Sequence, residues 1–552
     1  MRFQFRSQHL RTWLWLLPLA FYFALALYQI DLPGPNYDEA VEAKPAIQLL
    51  QNQPIEAHRN AVVTLFGRQL PLMIVDYVGA LNTWVLLLFF KLGGISVDAM
   101  RLWPIMVGAI ILWLTWLLGK SIFQARVGFV ASMLLAVQPS FLFFARQGIY
   151  VTNTTIAMML GIWVALLKLA TSGQARWLWV ASFLAGLGLW AKFIMLWPLT
   201  ATLILLPLIW WQRHHLKIQV APDLPQALLR PMYWAPALAW FLFGLSPFLM
   251  FNIKTGATVK HFLGTLNRSY YGVENKAYLQ NLAIRWAQTK DFLQGDHFWY
   301  LGGNFVDKLA WPAFLAAIAI ILVAHFVNRH RPLEKSASLR ALFILLFFLL
   351  LLIQTPLTPT ALWYTHLAMF SPVLALIIAS GWDLGFQKLP KAWSPIVAGS
   401  FLVLMTISGM RADIGYHKAL AATGGFADHS DAVYRLTDEL LARHIEHPYA
   451  LDWGFDAPVI LISQGRVNPI EIFGYEPYDR PDDGFADRVR PMLQDPNSYF
   501  LVHAPDRTNF PGRREALQQI ADEMGIELET IAVIRERSGA PHTEIWHPKL
   551  KK

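Results

Sequence analysis

Asp38 and Glu39, in the stretch Pro35-Asn36-Tyr37-Asp38-Glu39-Ala40, are adjacent carboxylates just after an apolar run at residues 12–30. That run is long enough to cross a bilayer. A carboxylate pair at its outer end sits at the lipid–water boundary, where a membrane-borne and a water-borne substrate can meet. Glu39 also has a structural reading: Asn36 can cap a helix, and Glu39 three residues on closes the capping box. That reading leaves Asp38 unexplained, but a capping role suits either of these adjacent residues, and the sequence leaves open which of the two is the base. A carboxylate placed there can take a proton from an attacking hydroxyl.

Further polar residues collect on the same side. Arg146 lies in Phe143-Phe144-Ala145-Arg146-Gln147-Gly148, with Thr152 and Asn153 following at the start of a helix. Lys192 stands at the outer turn of a tight hairpin, Tyr364 and His366 open a later helix from outside, and Asp296 and His297 sit in an outer loop. Each has a plain structural alternative. Lys192 and Arg146 can snorkel to headgroups; Thr152 and Asn153 can cap. His297 can be a satisfied loop histidine, and Tyr364 with Trp363 can form part of an interfacial aromatic belt. Their shared side carries the weight, because charges at a membrane edge are costly and mark function. Carboxylates for a base and cations for an anion suit group transfer from a lipid phosphate, with Lys and Arg stabilising the departing charge.

The elements that must position these residues are membrane helices. The chain has 552 residues, 55% of them hydrophobic, with 23 Trp, which is the composition of a polytopic membrane protein. Apolar runs predict helices near 12–30, 104–119, 127–144, 153–170, 177–191, 194–211, 232–251, 309–327, 339–354, 362–382 and 394–410. With the N-terminus inside, and Arg2, Arg6 and Arg11 before an uncleaved first helix, the inner loops hold 16 Lys/Arg against 3 Asp/Glu. The outer connections up to residue 427 hold 16 against 12. This is the positive-inside bias. Residues 77–94 could span, but a twelfth crossing there reverses every later loop, so they read as a juxtamembrane or re-entrant helix in an outer loop, 31–103.

The expected fold is therefore a polytopic α-helical membrane protein of about 11 transmembrane helices, with a small C-terminal α/β domain outside. The division falls at 1–427 and 428–552. In the second part, 431–444 and 513–525 read as helices and 457–463, 499–504 and 528–535 as strands. That part holds 14 Lys/Arg against 22 Asp/Glu, so the overall +9 belongs to the membrane part and makes no nucleic-acid patch. Zero Cys excludes disulfides, thiolate metal sites and cysteine nucleophiles.

In order and topology the chain resembles the GT-C glycosyltransferases, specifically the protein O-mannosyltransferase and lipid A aminoarabinose transferase family. The resemblance covers most of residues 10–410. It runs through Asp38-Glu39, Tyr77-Val78-Gly79-Ala80-Leu81, Arg101-Leu102-Trp103-Pro104, Arg146, Lys192 and Trp363-Tyr364…Pro372. It implies Asp38 as general base, Glu39 as support for the site geometry, and Lys192, Arg146 and Tyr364 as contacts of the donor phosphate. His366, His297, Asp296 and Asn153 are candidate substrate contacts. The implied donor is a polyprenyl-phosphate monosaccharide, transferred with inversion to a protein or glycolipid hydroxyl at the outer face of a bacterial cytoplasmic membrane. No catalytic metal and no further cofactor is expected. The family's Asp shortly after the Arg146 position is here replaced by Thr152-Asn153. Two other classes remain: a transporter or flippase, which would place charges near midplane in paired broken helices, and a scaffold presenting the C-terminal domain.

Overall fold

The computed structural model describes residues 15–65, 67–148, 152–218, 220–222, 224–327 and 332–550. Arg2, Arg6 and Arg11 lie outside them. Among the described residues, eight helices are long and apolar enough to cross a membrane. They are Val97–Ile122, Thr152–Ser172, Phe193–Trp211, Pro231–Thr255, Ala310–Val327, Lys335–Leu352, Tyr364–Phe386 and Ser394–Thr423. Ala125–Ala136 and Pro139–Gln147 pass the same test together but are bent by 66°. The bend falls where Pro139 removes a backbone donor and forces the preceding residue out of helical geometry. The runs at 12–30 and 177–191 form shorter helices, Leu16–Ala26 and Arg176–Ala191, of 11 and 16 residues.

Small residues let the helices approach closely. Gly186 and Gly244 face one another between Arg176–Ala191 and Pro231–Thr255. A Cβ on Gly186 would stand 2.1 Å from the Phe241 carbonyl oxygen, and one on Gly244 would stand 2.6 Å from that of Phe183.

The segment 31–103 is an ordered insertion. It contains a short helical turn, Tyr37–Ala40, the helix Lys44–Leu50, and two antiparallel strand pairs, Val62–Leu65 with Arg68–Pro71 and Met73–Val75 with Val78–Gly79. The helix Leu81–Gly93 follows; with 13 residues it is too short to span.

The C-terminal part is a five-stranded sheet in the order Ile470–Glu471, Tyr449–Ala450, Phe500–His503, Pro541–Leu550, Ile526–Arg535. The pairings made by Tyr449–Ala450 are parallel, and those made by Pro541–Leu550 are antiparallel. Alternate strand residues serve opposite faces. Leu501 and Ile545 pack under the helix Ala432–Ala442, while Phe500, Val502 and Trp546 pack under Phe485–Gln494 and Arg513–Glu523. Both faces are covered, which explains the unbroken apolar run at 500–502.

One expected strand is a helix. Residues 457–462 fall in the helix Asp456–Ile462, with Ser463 at its C-cap; its first turn carries Asp456 and Pro458, residue types suited to a helix start. A short apolar run cannot separate a buried strand from a buried helix by pattern alone. Its Ala457, Ile460 and Leu461 share a core with Ala43, Ala46 and Ile47 of the insertion. The C-terminal sheet is thereby seated on the segment that carries Asp38.

Candidate functional site

The turn Tyr37–Ala40 has only four residues, so its conformation depends on its caps. Asn36 supplies the N-cap: its side chain accepts from the Asp38 amide at 2.9 Å, and the Glu39 carboxylate accepts from the Asn36 amide at 2.9 Å. The same carboxylate takes Arg101 Nη2 at 2.6 Å and Nε at 3.1 Å, with both residues buried. Arg101 Nη1 donates to the carbonyls of Ile30 and Pro33 at 2.8 and 2.9 Å. Arg146 completes this clamp, since its Nη2 donates to the carbonyls of Tyr28, Gln29 and Leu32 at 3.0, 2.5 and 3.1 Å. Two buried guanidiniums thus satisfy the carbonyls of the connection leading to Asp38. Asp38 itself is half-buried and keeps access to solvent.

Lys192 is positioned through backbone pairing. Its backbone is extended and bridges Val78, and the next amide, Phe193, donates to the Tyr77 carbonyl at 3.0 Å. Gly79 makes this approach possible, because a Cβ there would lie 2.1 Å from the Trp190 carbonyl oxygen. The Lys192 side chain is buried and donates to Thr152 Oγ1 at 2.9 Å. Burial pushes its ammonium down to about 8, against the pull of the Glu42 and Asp38 carboxylates. Glu42 is pushed up to about 8 by burial, opposed by the Asn82 hydrogen bond and by Lys192. Asp38, Glu42 and Lys192 therefore form one electrostatic group.

The other residues read from the sequence are held by contacts of their own, with His366 within electrostatic reach of Lys192. Asn153 Nδ2 donates to the Phe144 carbonyl at 2.8 Å, tying the start of Thr152–Ser172 to the bent pair. His297 is buried beside Ser140, 2.8 Å away, and stacks on Tyr364 with ring centroids 4.5 Å apart. Ser140 gives its proton to the Phe292 carbonyl, so the His297–Ser140 bond requires His297 Nε2 to donate. Burial holds His297 down to about 3, in its neutral form. The Tyr364 hydroxyl donates to Asp291 at 3.1 Å, and Asp296 lies half-buried just past the end of the helix that carries Asp291. His366 Nδ1 accepts from Arg285 at 3.2 Å. Arg285 is fully buried on the helix Tyr278–Gln294, and also donates to the Thr355 and Trp363 carbonyls.

Sequence reasoning missed Glu42 and Arg285. Glu42 had a legible signal, since it follows Asp38 by four residues and shares its face wherever the helix continues. Arg285 had none beyond being a charge in an amphipathic segment.

Residues 79–251 match the family model described as dolichyl-phosphate-mannose-protein mannosyltransferase. The structure is similar to ArnT from Cupriavidus metallidurans bound to undecaprenyl phosphate, with a TM-score of 0.59 and 12% identity over 96% of this chain and 97% of that one. The apo state of that protein matches at a TM-score of 0.54 over the same shares. The fold is that of a GT-C membrane glycosyltransferase. An oligosaccharyltransferase from Archaeoglobus fulgidus, in complex with Zn and sulfate, shares the GT-C fold at a TM-score of 0.51 and 12% identity, over 96% of this chain and 72% of that one. Comparison with curated protein sequences finds no match. The matched family segment holds Arg101, Arg146 and Lys192 but begins after Asp38. Asp38 is therefore tied to the GT-C helices by the contacts of Arg101 and Arg146.

Proposed function

We propose that the chain transfers a monosaccharide from a polyprenyl-phosphate donor to an acceptor hydroxyl, with Asp38 as general base. The observation that carries this reading is a half-buried Asp38, on a braced turn, within electrostatic reach of the buried Lys192. The acceptor oxygen attacks the anomeric carbon as its proton passes to the Asp38 carboxylate. The bond from that carbon to the phosphate oxygen breaks on the opposite face, so configuration inverts. The electron pair leaves on the phosphate, where Lys192 offsets the charge. Arg146 and Glu39 position the Asp38 turn, and Tyr364 and His366 line a neighbouring wall. His297 stands behind Tyr364, Asp296 in the adjoining loop, and Asn153 braces the Thr152 turn.

A lipid-phosphate donor is supported by the mannosyltransferase family match and by the fold shared with ArnT, which was solved with undecaprenyl phosphate. The charge bias of the loops supports a site on the outer face of a bacterial cytoplasmic membrane. Residues 428–552 then lie outside, beside the acceptor's approach, and the acceptor is a protein or glycolipid hydroxyl.

The test is transfer of labelled sugar from a polyprenyl-phosphate donor pool, in membranes carrying wild type or Asp38→Asn. The expected result is transfer by the wild type and a loss of about 10²–10⁴-fold in the variant, with expression intact. Undiminished transfer by Asp38→Asn overturns its role as base. Absence of transfer by the wild type with every donor tried overturns the enzymatic reading.

A further inference from the structure

Glu42 is a buried carboxylate held rigidly beside Asp38 and Lys192, with one oxygen unused. Val41 continues the helical backbone of the Asp38 turn, so Glu42 falls one turn on, toward the same side. The residue is 2% exposed. Its Oε2 accepts from Asn82 Nδ2 at 2.6 Å. Asn82 cannot be turned the other way, because its oxygen already accepts the indole N–H of Trp103 at 2.9 Å, and an indole only donates. The backbone carbonyl of Glu42 is fixed as well, accepting from Thr83 Oγ1 at 2.6 Å.

Among the described residues Oε1 of Glu42 has no hydrogen-bond partner, and bulk water does not reach it. Such an oxygen costs stability and calls for a reason. Its place supplies one. Thr154 Oγ1 contacts the Asn82 oxygen at 3.4 Å, and Thr152, on the same helical turn, holds Lys192 Nζ at 2.9 Å. Glu42 and Lys192 are thus secured from one turn of the helix Thr152–Ser172, and the Glu42 carboxylate acts electrostatically on both Lys192 and Asp38.

In the proposed reaction, on which this inference rests, Lys192 faces the donor phosphate and Asp38 the acceptor hydroxyl. The sugar ring must then lie between them, and a group that adjoins both adjoins the ring. We propose that Glu42 is a donor-sugar contact, its Oε1 forming a hydrogen bond with a ring hydroxyl. A carboxyl oxygen buried away from water discriminates strongly against a sugar lacking that hydroxyl, since it is otherwise left unpaired. At neutral pH, where burial keeps its carboxyl uncharged, Glu42 therefore acts on recognition of the sugar and not on binding of the lipid phosphate.

The test compares binding of two kinds of lipid to the full-length protein in nanodiscs. One is undecaprenyl phosphate without sugar; the others are its mannosyl, glucosyl and arabinosyl esters. The wild type is expected to bind at least one sugar-bearing lipid more tightly than undecaprenyl phosphate. Glu42→Ala is expected to lose that preference, weakening about 10- to 100-fold for the sugar-bearing lipid, while undecaprenyl phosphate binds as before. Glu42→Gln keeps the shape and guards against misfolding. Asn82 will take its amide oxygen and turn its NH₂ toward the sugar, so a smaller loss confined to the sugar-bearing lipid is expected. Retention of the wild-type preference by both variants overturns the inference alone. Equal weakening for the sugar-free and sugar-bearing lipids also overturns it, as the mark of a merely structural residue. A wild type that shows no preference for any of the three sugars overturns the inference together with the reaction on which it rests.

Discussion

Arg101 grips Glu39 in a buried ion pair, Nη2 to Oε1 at 2.6 Å, with each side chain 1% exposed. The pair links the second turn of Val97–Ile122 to the Asp38 turn, and the remaining Arg101 nitrogen secures carbonyls on the approach. Removing one partner of such a pair leaves the other charged and buried, which costs about 3–5 kcal/mol. Arg101→Met and Glu39→Gln should each lower the thermal unfolding midpoint in detergent. The double variant should be less destabilised than the two losses summed, because neither charge is then stranded. Additive losses would show that the two residues do not act as a unit.

The pH dependence of donor binding follows from Lys192. Burial holds its ammonium at about 8, below the ordinary lysine value, so the charge is present below about pH 8 and is lost as pH rises through it. Glu42, pushed up to about 8, becomes an anion over the same window, and both changes disfavour an incoming phosphate. Affinity for undecaprenyl phosphate, measured by titration from pH 6 to 10, should therefore fall above about pH 8. In Lys192→Arg the guanidinium stays charged throughout, and only the part due to Glu42 should remain. A flat profile in the wild type would remove Lys192 from contact with phosphate.

Gly79 is the tightest element of the framework around Lys192. A methyl group at Gly79 would collide with the Trp190 carbonyl oxygen at 2.1 Å. This is backbone and cannot swing aside. Gly79→Ala should separate the strand Val78–Gly79 from Lys192 and reduce sugar transfer at least as severely as Lys192→Ala. The effect should fall mainly on KM for the lipid donor if Lys192 contacts the phosphate. Transfer at the wild-type rate would show that the approach is not needed for function.

What could be read in advance was what is local. The Asn36–Glu39 capping box spans three residues and is visible as a spacing, and the model forms it. Runs of apolar residues marked the helices because hydropathy accumulates over a window of one span. The partner of Glu39 was not legible, because Arg101 is 62 residues away and only folding brings the two together. Arg146 shows the limit of reading charge alone. Its place at an outer turn suggested an anion ligand, whereas part of its guanidinium is spent on the carbonyls of Tyr28, Gln29 and Leu32. Residues 457–463 read as a strand because a short apolar run suits a strand or a helix equally, until the Ala43–Ala46–Ile47 surface that it covers is known.

That covered surface yields a prediction about the C-terminal part. Asp456 and Lys44 pair across the contact at 2.8 Å, with side-chain exposures of 6% and 11%, and Lys44 also reaches Glu56 at 2.7 Å. Gln51 donates to the Gln464 carbonyl at 2.6 Å, and Tyr37, next to Asp38, packs its ring on Trp453 at 4.8 Å. A chain cut after residue 427 would expose Ala43, Ala46 and Ile47 and strip the Asp38 turn of Trp453. It should insert in membranes yet lose sugar transfer, with increased proteolysis within 31–103. Lys44→Met in the full chain should act in the same direction but more weakly, since it leaves Asp456 buried without its cation while the apolar contact persists. Retention of full transfer by the truncated chain would show that the C-terminal sheet is dispensable for ordering the Asp38 turn.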